Sequence, residues 1–169
     1  MRTIFYLLPE IKIMREQACC FTGHRVIDGG DLTKLVRLLE TTIEQLIQQG
    51  ITEYYCGGAC GYDLLAGAAV TRLRKRYPAV KLLMILPCHG QESKWAEVYK
   101  QAYVRLLAAA DSVEYVSETY YDGVMLERNK RLVDHSSYCV AYMKYKRTGT
   151  SQTVRLAREH GLTVINLAE

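Results

Sequence analysis

Residues with chemical potential gather just after short apolar runs in this chain, and one group leads. Cys56-Gly57-Gly58-Ala59-Cys60-Gly61-Tyr62-Asp63 follows the β-branched and aromatic run 51–55 and opens into an apolar-periodic segment. A strand that ends in glycines and turns straight into a helix leaves free backbone N–H groups pointing at one spot. The helix dipole adds partial positive charge there, so such a turn can hold a phosphate or another anion. Gly57, Gly58 and Gly61 let a ligand approach the backbone, and Gly58 is expected where a side chain would fill the anion cradle. Asp63 falls in the first helical turn, where a carboxylate is electrostatically favoured. An ordinary strand-to-helix turn with a dipole-matched acid accounts for the same residues, because their spacing does not match the dinucleotide fingerprint.

Four further groups occupy equivalent places. Thr22-Gly23-His24-Arg25 follows the run 18–22, and Pro87-Cys88-His89-Gly90-Gln91 follows 80–86. Residues 118–122 follow 112–116, and Lys146-Arg147-Thr148-Gly149-Thr150 follows 138–143. Gly149-Thr150, like Gly57-Gly58, precedes a predicted helix, and Arg25 and Arg147 can neutralise phosphate charge through planar, bidentate contacts. Histidines 24 and 89 are candidate acid–base groups, although loop histidines more often only hydrogen-bond. His135 and His160 fall at predicted helix ends. Trp95, Tyr99 and Tyr103 have helical spacing, which serves packing more often than an adenine platform. No Ser-His-Asp set, carboxylate pair or metal-ligand spacing can be argued.

The elements that would position these groups alternate. Leu32, Leu35, Val36, Leu39, Ile43, Leu46 and Ile47 form one face of a helix over 32–49, with Asp31 as its cap and Gly50 as its end. Strands are predicted over 18–22, 51–55, 80–86 (stopped by Pro87), 112–116, 138–143 and 162–167. Helices are predicted after the glycine turn and over 94–110, 123–133 and 150–159. Near-continuous apolar strands alternating with helices mean an α/β, Rossmann-like domain, a mainly parallel sheet of about six strands with helices on both faces. In such sheets ligands bind outside the carboxyl ends of the strands, where all five polar groups fall.

Size and composition agree with one domain. The chain has 169 residues, 49% hydrophobic and 24% charged, with a net charge of +4. That mild charge disfavours a nucleic-acid partner, and no apolar run approaches a membrane span. The basic cluster Arg72, Arg74, Lys75, Arg76 reads as a helix end favouring the dipole. Six cysteines, several in strand-like runs and none at zinc-finger spacing, read as buried free thiols of a reduced, cytoplasmic protein. Residues 1–16 read as an N-terminal extension, with Met14 an alternative start and 1–13 an edge strand or a tail; the domain is placed at 17–169.

Taken together, Cys20-Phe21-Thr22-Gly23-His24-Arg25, Gly57-Gly58-Ala59 with Gly61 and Asp63, Pro87 with Gln91 and Trp95, Arg128-Asn129 with Val133-Asp134, and the final Gly149-Thr150 resemble the YpsA group of the SLOG superfamily. The resemblance covers residues 17–167. It implies a Rossmann-like fold and a pocket for a nucleotide or an ADP-ribose- or NAD-like ligand. Relatives include the LOG phosphoribohydrolases and the DNA-processing protein DprA, and some members are linked to bacterial cell division. Carried over residue by residue, it places Gly23, His24, Arg25, Gly58, Asp63, Arg128, Asn129, Gly149 and Thr150 around the pocket. With the reading from strand ends, the expected ligand-binding set adds Thr22, Gly57, Gly61 and Arg147.

Two departures bear on activity. The LOG enzymes carry P-G-G-x-G-T-x-x-E, with a catalytic acid; aligned on Gly149-Thr150, Arg147 stands at the second glycine and Thr153 at the glutamate. Threonine is no carboxylate acid or base near neutral pH, which puts N-glycosidic hydrolysis in doubt. The expected function is therefore a sensor or regulator that binds a nucleotide-derived small molecule, in cell division or stress. The alternatives are an enzyme acting on a nucleotide or ADP-ribose, with Asp63 as candidate catalytic acid, and a DprA-like single-stranded DNA binder. No cofactor is certain; a protein partner and a homo-oligomer are left open.

Overall fold

The computed structural model describes residues 15–169. The extension up to residue 14, Met14 as a start included, lies outside the described residues. Strand β1 (Ala18–Gly23) is apolar on both faces and buried until Gly23, which requires cover above and below. It lies between β2 (Glu53–Cys56) and β5 (Tyr138–Tyr142) in a six-stranded sheet ordered β4-β3-β2-β1-β5-β6. The remaining strands are β3 (Lys81–Cys88), β4 (Ser112–Ser117) and β6 (Thr163–Asn166), and every pairing is parallel.

Alternation across the pleat divides the core in two. Cys19 and Phe21 face one layer, with Tyr54 of β2, Leu82, Met84 and Leu86 of β3, and Val140 and Tyr142 of β5. Three helices cover that face: α1 (Leu32–Gln48), α2 (Tyr62–Arg74) and α3 (Glu97–Ala109). Cys20, Ile85, Cys139 and Ala141 face the other, under Leu132 and Val133 of α4 (Val124–Asp134) and Val154 and Ala157 of α5 (Gly149–Glu159). The expected six strands and five helices, on both faces of a parallel sheet, are all present. All six cysteines are free, five of them buried. Among the described residues no helix is long and apolar enough to cross a membrane.

Three local expectations are corrected. Pro87 does not stop β3, which runs on to Cys88. Strand β2 has already left the ladder at the Cys56–Met84 pair, so β3 is bonded there on one side only, as an edge strand is, and tolerates the missing N–H. Asp31 makes no side-chain cap to α1; its carboxylate instead takes Lys144 Nζ at 2.7 Å and the Tyr142 hydroxyl at 3.3 Å. Helix α3 starts at Glu97, not 94, because Ala96 is extended (ψ 149°). Arg15, outside the expected domain boundary, donates to the carbonyls of Ser136 (2.8 Å) and His160 (2.9 Å). The chain is therefore already tied to the sheet's covering layer at residue 15.

Candidate functional site

Successive strands step from β1 outward to β4, and the chain then crosses back to lay β5 on the other side of β1. Where the order reverses, helices leave to opposite faces and a crevice opens at the carboxyl ends. A cavity of about 260 Å³ sits there. Four segments wall it: Phe21 to Arg25 at the end of β1, Ala59 and Asp63 at the glycine turn, Met125, Arg128 and Asn129 on α4, and Thr148 to Thr150 at the start of α5.

The start of α5 is capped reciprocally. Thr148 Oγ1 accepts from the Ser151 N–H at 3.1 Å while Ser151 Oγ accepts from the Thr148 N–H at 2.9 Å. That box leaves the N–H groups of Gly149 and Thr150 without an acceptor among the described residues, at the positive end of the helix dipole. A Cβ at Gly149 would meet nothing within 4 Å, so the backbone is open at this point. Thr153 is buried and donates to the Gly149 carbonyl at 3.0 Å, away from any acid–base role.

Arg128 enters from α4 and is only 4% exposed. Its Nη1 donates to the Gly57 carbonyl at 2.6 Å and its Nε to Asn129 Oδ1 at 2.7 Å, while Nη2 lies 3.9 Å from Met125 Sδ. None of its partners is an acid, and among the described residues no carboxylate is within ion-pairing distance of it. Asp63 and Arg128 are not in direct contact as an ion pair. Burial pushes the guanidinium's pKa down and the more distant Asp63 charge raises it again; arginine stays protonated through such a shift.

Asp63, 6% exposed, accepts from the Ala59 N–H through Oδ2 at 3.1 Å. Among the described residues its other oxygen has no hydrogen-bond donor. Burial pushes its carboxyl up to about 6, against the opposing pull of Arg128, the Ala59 N–H and Arg25. A buried cation and a buried, easily protonated acid thus line one cavity, an arrangement suited to a ligand that brings both an anion and hydroxyl groups.

His24 lines the cavity but has other work. Its Nε2 accepts from the backbone N–H groups of Lys144 (2.9 Å) and Tyr145 (3.2 Å), which makes Nδ1 the protonated nitrogen of the neutral ring. Burial, then the Lys144 charge, holds its pKa below the usual histidine value. It clamps the loop after β5 to the end of β1. His89 stacks on Tyr115 at 3.7 Å away from the cavity, and His135 and His160 follow the last residues of α4 and α5. Trp95 packs edge-on against Tyr103 at 5.4 Å as part of the core's margin.

The structure separates the expected set into two groups. Thr22, Gly23, His24, Arg25, Asp63, Arg128, Asn129, Gly149 and Thr150 line one cavity. Gly57, Gly58, Gly61 and Arg147 do not. Gly57 makes room for the Arg128 guanidinium, whose Nη1 would lie 2.7 Å from an added Cβ. Gly58 has φ +64° and its missing side chain points into the core, 2.9 Å from Leu86 and 3.0 Å from Met84, not into an anion cradle. Gly61, at φ +85°, lets the Arg25 carbonyl pass where a Cβ would stand. Arg147, at φ +60°, lies on the outer side with Ser151, Gln152 and Arg155. Met125 and Thr148 were missed; the first could have been found by its helical spacing to Arg128 and Asn129, the second by its place three residues before Ser151.

Gly58→Ala should therefore destabilise the protein by about 1–3 kcal/mol, from left-handed strain and crowding of Leu86 and Met84. Urea denaturation checks this, and an unchanged midpoint would show that the turn does not need glycine.

The YpsA family model, described as the YspA SLOG family, matches residues 21–160. A UPF0398 protein of Brevibacillus brevis is 33% identical over 133 residues, 78% of this chain and 65% of its own length. One of Bacillus velezensis is 32% identical over 103 residues, 61% of this chain and 57% of its own length. The chain thus spans about half to two thirds of the length of these curated relatives. The SPbeta prophage-derived protein YoqJ of Bacillus subtilis is 28% identical over 141 residues, covering 76% of this chain and 82% of YoqJ. Among solved structures, DprA of Streptococcus pneumoniae superposes with a TM-score of 0.64 at 15% identity, over 90% of this chain and 50% of that one. DprA of Helicobacter pylori, described for its single-stranded DNA binding mode, gives 0.62 at 18%, over 92% and 66%. These two likenesses concern the fold. With a family match that runs from within β1 to the end of α5, the chain belongs to the YspA SLOG family.

Proposed function

We propose that the protein binds a phosphate-bearing, nucleotide-derived small molecule at the switch-point cavity, as a sensor or regulator. The observation that carries this reading is Arg128, a buried cation with no acid beside it, facing the same cavity as the unsatisfied N–H groups of Gly149 and Thr150. Burying a charge without a counter-ion costs several kcal/mol, and an anionic ligand offsets that cost on binding. In this reading the phosphate lies between Arg128 and the start of α5, and Asp63 accepts from ribose hydroxyls. Arg25, exposed at the rim, adds a second positive charge. Thr153 at the place of the LOG acid argues against LOG-type hydrolysis.

A ligand that binds only the folded state raises the melting temperature by mass action. ADP-ribose, NAD, AMP and guanine nucleotides at millimolar concentration are the screen, and at least one should shift the melt upward by several degrees. A flat response to all of them sinks the reading.

A second reading is single-stranded DNA binding. It is favoured by exposed tyrosines on loops at the carboxyl edge, Tyr120 and Tyr121 after β4 and Tyr145 after β5, the last followed directly by Lys146 and Arg147. Aromatic faces and basic residues on one edge suit stacked bases and a phosphate backbone. Fluorescence anisotropy with a labelled oligonucleotide decides it, since that binding should fall steeply between 50 and 200 mM salt.

A further inference from the structure

We infer that Tyr145 is the base-stacking residue of the site, a platform for the heterocycle of the ligand; this rests on the nucleotide reading above. The cavity's volume, about 260 Å³, is at the small end for ligand pockets and suits a sugar and a phosphate. A nucleobase attached to such a sugar must lie at the mouth. Tyr145, 56% exposed, is an aromatic side chain that stands against His24 of the cavity wall. An exposed aromatic ring next to a cavity wall offers a π-face on which a base can stack.

Tyr145 is also held in place, which a stacking platform requires. Its ring centroid lies 5.3 Å from that of His24, a cavity-wall residue, with the planes inclined by 36°. Its N–H donates to His24 Nε2 at 3.2 Å, and its carbonyl accepts from Thr148 Oγ1 at 3.4 Å. The residue is thus fastened on one side to the wall formed by β1 and on the other to the cap of α5. The same cap frees the N–H groups expected to hold the phosphate, so platform and phosphate cradle share one short segment. Pre-organisation of this kind lowers the ordering cost of binding. Tyr99, similarly exposed at 47% but on α3 and outside the cavity walls, supplies a control.

Affinities of AMP and ribose 5-phosphate, measured by calorimetry on the parent, Tyr145→Ala, Tyr145→Trp and Tyr99→Ala, test the inference. The parent should bind AMP more tightly than ribose 5-phosphate. Tyr145→Ala should weaken AMP about 5- to 100-fold, the range of base–aromatic stacking, and leave ribose 5-phosphate unchanged. Tyr145→Trp should retain AMP affinity, and Tyr99→Ala should alter neither probe. Equal loss of both probes in Tyr145→Ala, or loss of neither, overturns the platform while leaving the phosphate site standing. If the parent binds neither probe but does bind another nucleotide of the screen, that nucleotide takes the place of AMP in the comparison; failure to bind any of them overturns the nucleotide reading and the platform with it.

Discussion

Arg128→Met is expected to weaken nucleotide binding by about 25-fold or more while leaving a folded protein. Truncating one partner of a buried charged pair costs about 2–5 kcal/mol, and tenfold in affinity corresponds to about 1.4 kcal/mol. The loss is large because nothing else in the cavity can replace the guanidinium. Arg25 is exposed and screened by solvent, and the helix terminus supplies only partial charge. The fold should survive because two effects on stability oppose each other. Methionine leaves the Gly57 carbonyl without its 2.6 Å donor, at about 1–3 kcal/mol, but removes a desolvated charge that no acid neutralises. Arg128→Lys should also bind poorly, since an ammonium cannot hold Gly57, Asn129 and an anion with one planar fork. Calorimetric titration alongside thermal melting separates the two effects. Parent-like affinity in Arg128→Met would show that no anion sits against this residue.

The fold was legible in the sequence wherever burial on both faces dictated residue type. β1 runs Ala18–Gly23 against an expected 18–22, since a strand covered above and below has no room for polar interruption. The Pro87 boundary failed because a proline's cost depends on which neighbouring strand is still present, and strand order is a tertiary property. The site was legible at the level of loops and not of side chains. Turns at strand ends must converge once the sheet is parallel, so Thr22 to Arg25, Asp63 and Gly149-Thr150 meet as expected. Gly58 was misread because glycine records that a Cβ is excluded, not which neighbour excludes it; here that neighbour is the core. Arg147 was misread for a similar reason: one left-handed residue before the cap of α5 turns its side chain outward. The histidine clamp had no sequence signal, because its two donors come from backbone 120 and 121 residues away.

The two buried charges are held differently. Arg128 commits Nε and Nη1 to an amide and a backbone oxygen, which holds it in place, while Nη2 meets only the Met125 sulfur at 3.9 Å. Among the described residues Asp63 has one backbone donor to its carboxylate, and burial disfavours its ionised form. A carboxylate kept in that state lowers stability and is the kind of strain retained at binding sites. The pH dependence of stability measures its cost.

Asp63→Asn is expected to stabilise the unliganded protein at pH 8 by up to about 3 kcal/mol and to have no such effect near pH 3.5. The native carboxyl titrates at about 6, raised from 3.8 chiefly by burial. A raised folded-state value means that the stabilising contribution is fully present below 3.8 and is lost as pH rises through 6. The gap between the unfolded and folded values, at about 1.4 kcal/mol for each pH unit, sets the size of that loss at pH 8. Asparagine is neutral throughout and can still accept from the Ala59 N–H, so the variant avoids the loss and gains its advantage only above the window. The same change should weaken binding of a ribose-bearing ligand by about 1.5–3 kcal/mol, the usual worth of a hydrogen bond to a charged acceptor. Stability therefore rises as affinity falls, a combination that a merely structural acid would not give. Denaturation midpoints at the two pH values, with calorimetry at pH 8, check both halves. If the parent turns over ADP-ribose or AMP and Asp63→Asn abolishes that turnover with affinity retained, Asp63 is a catalytic group and the sensor reading falls.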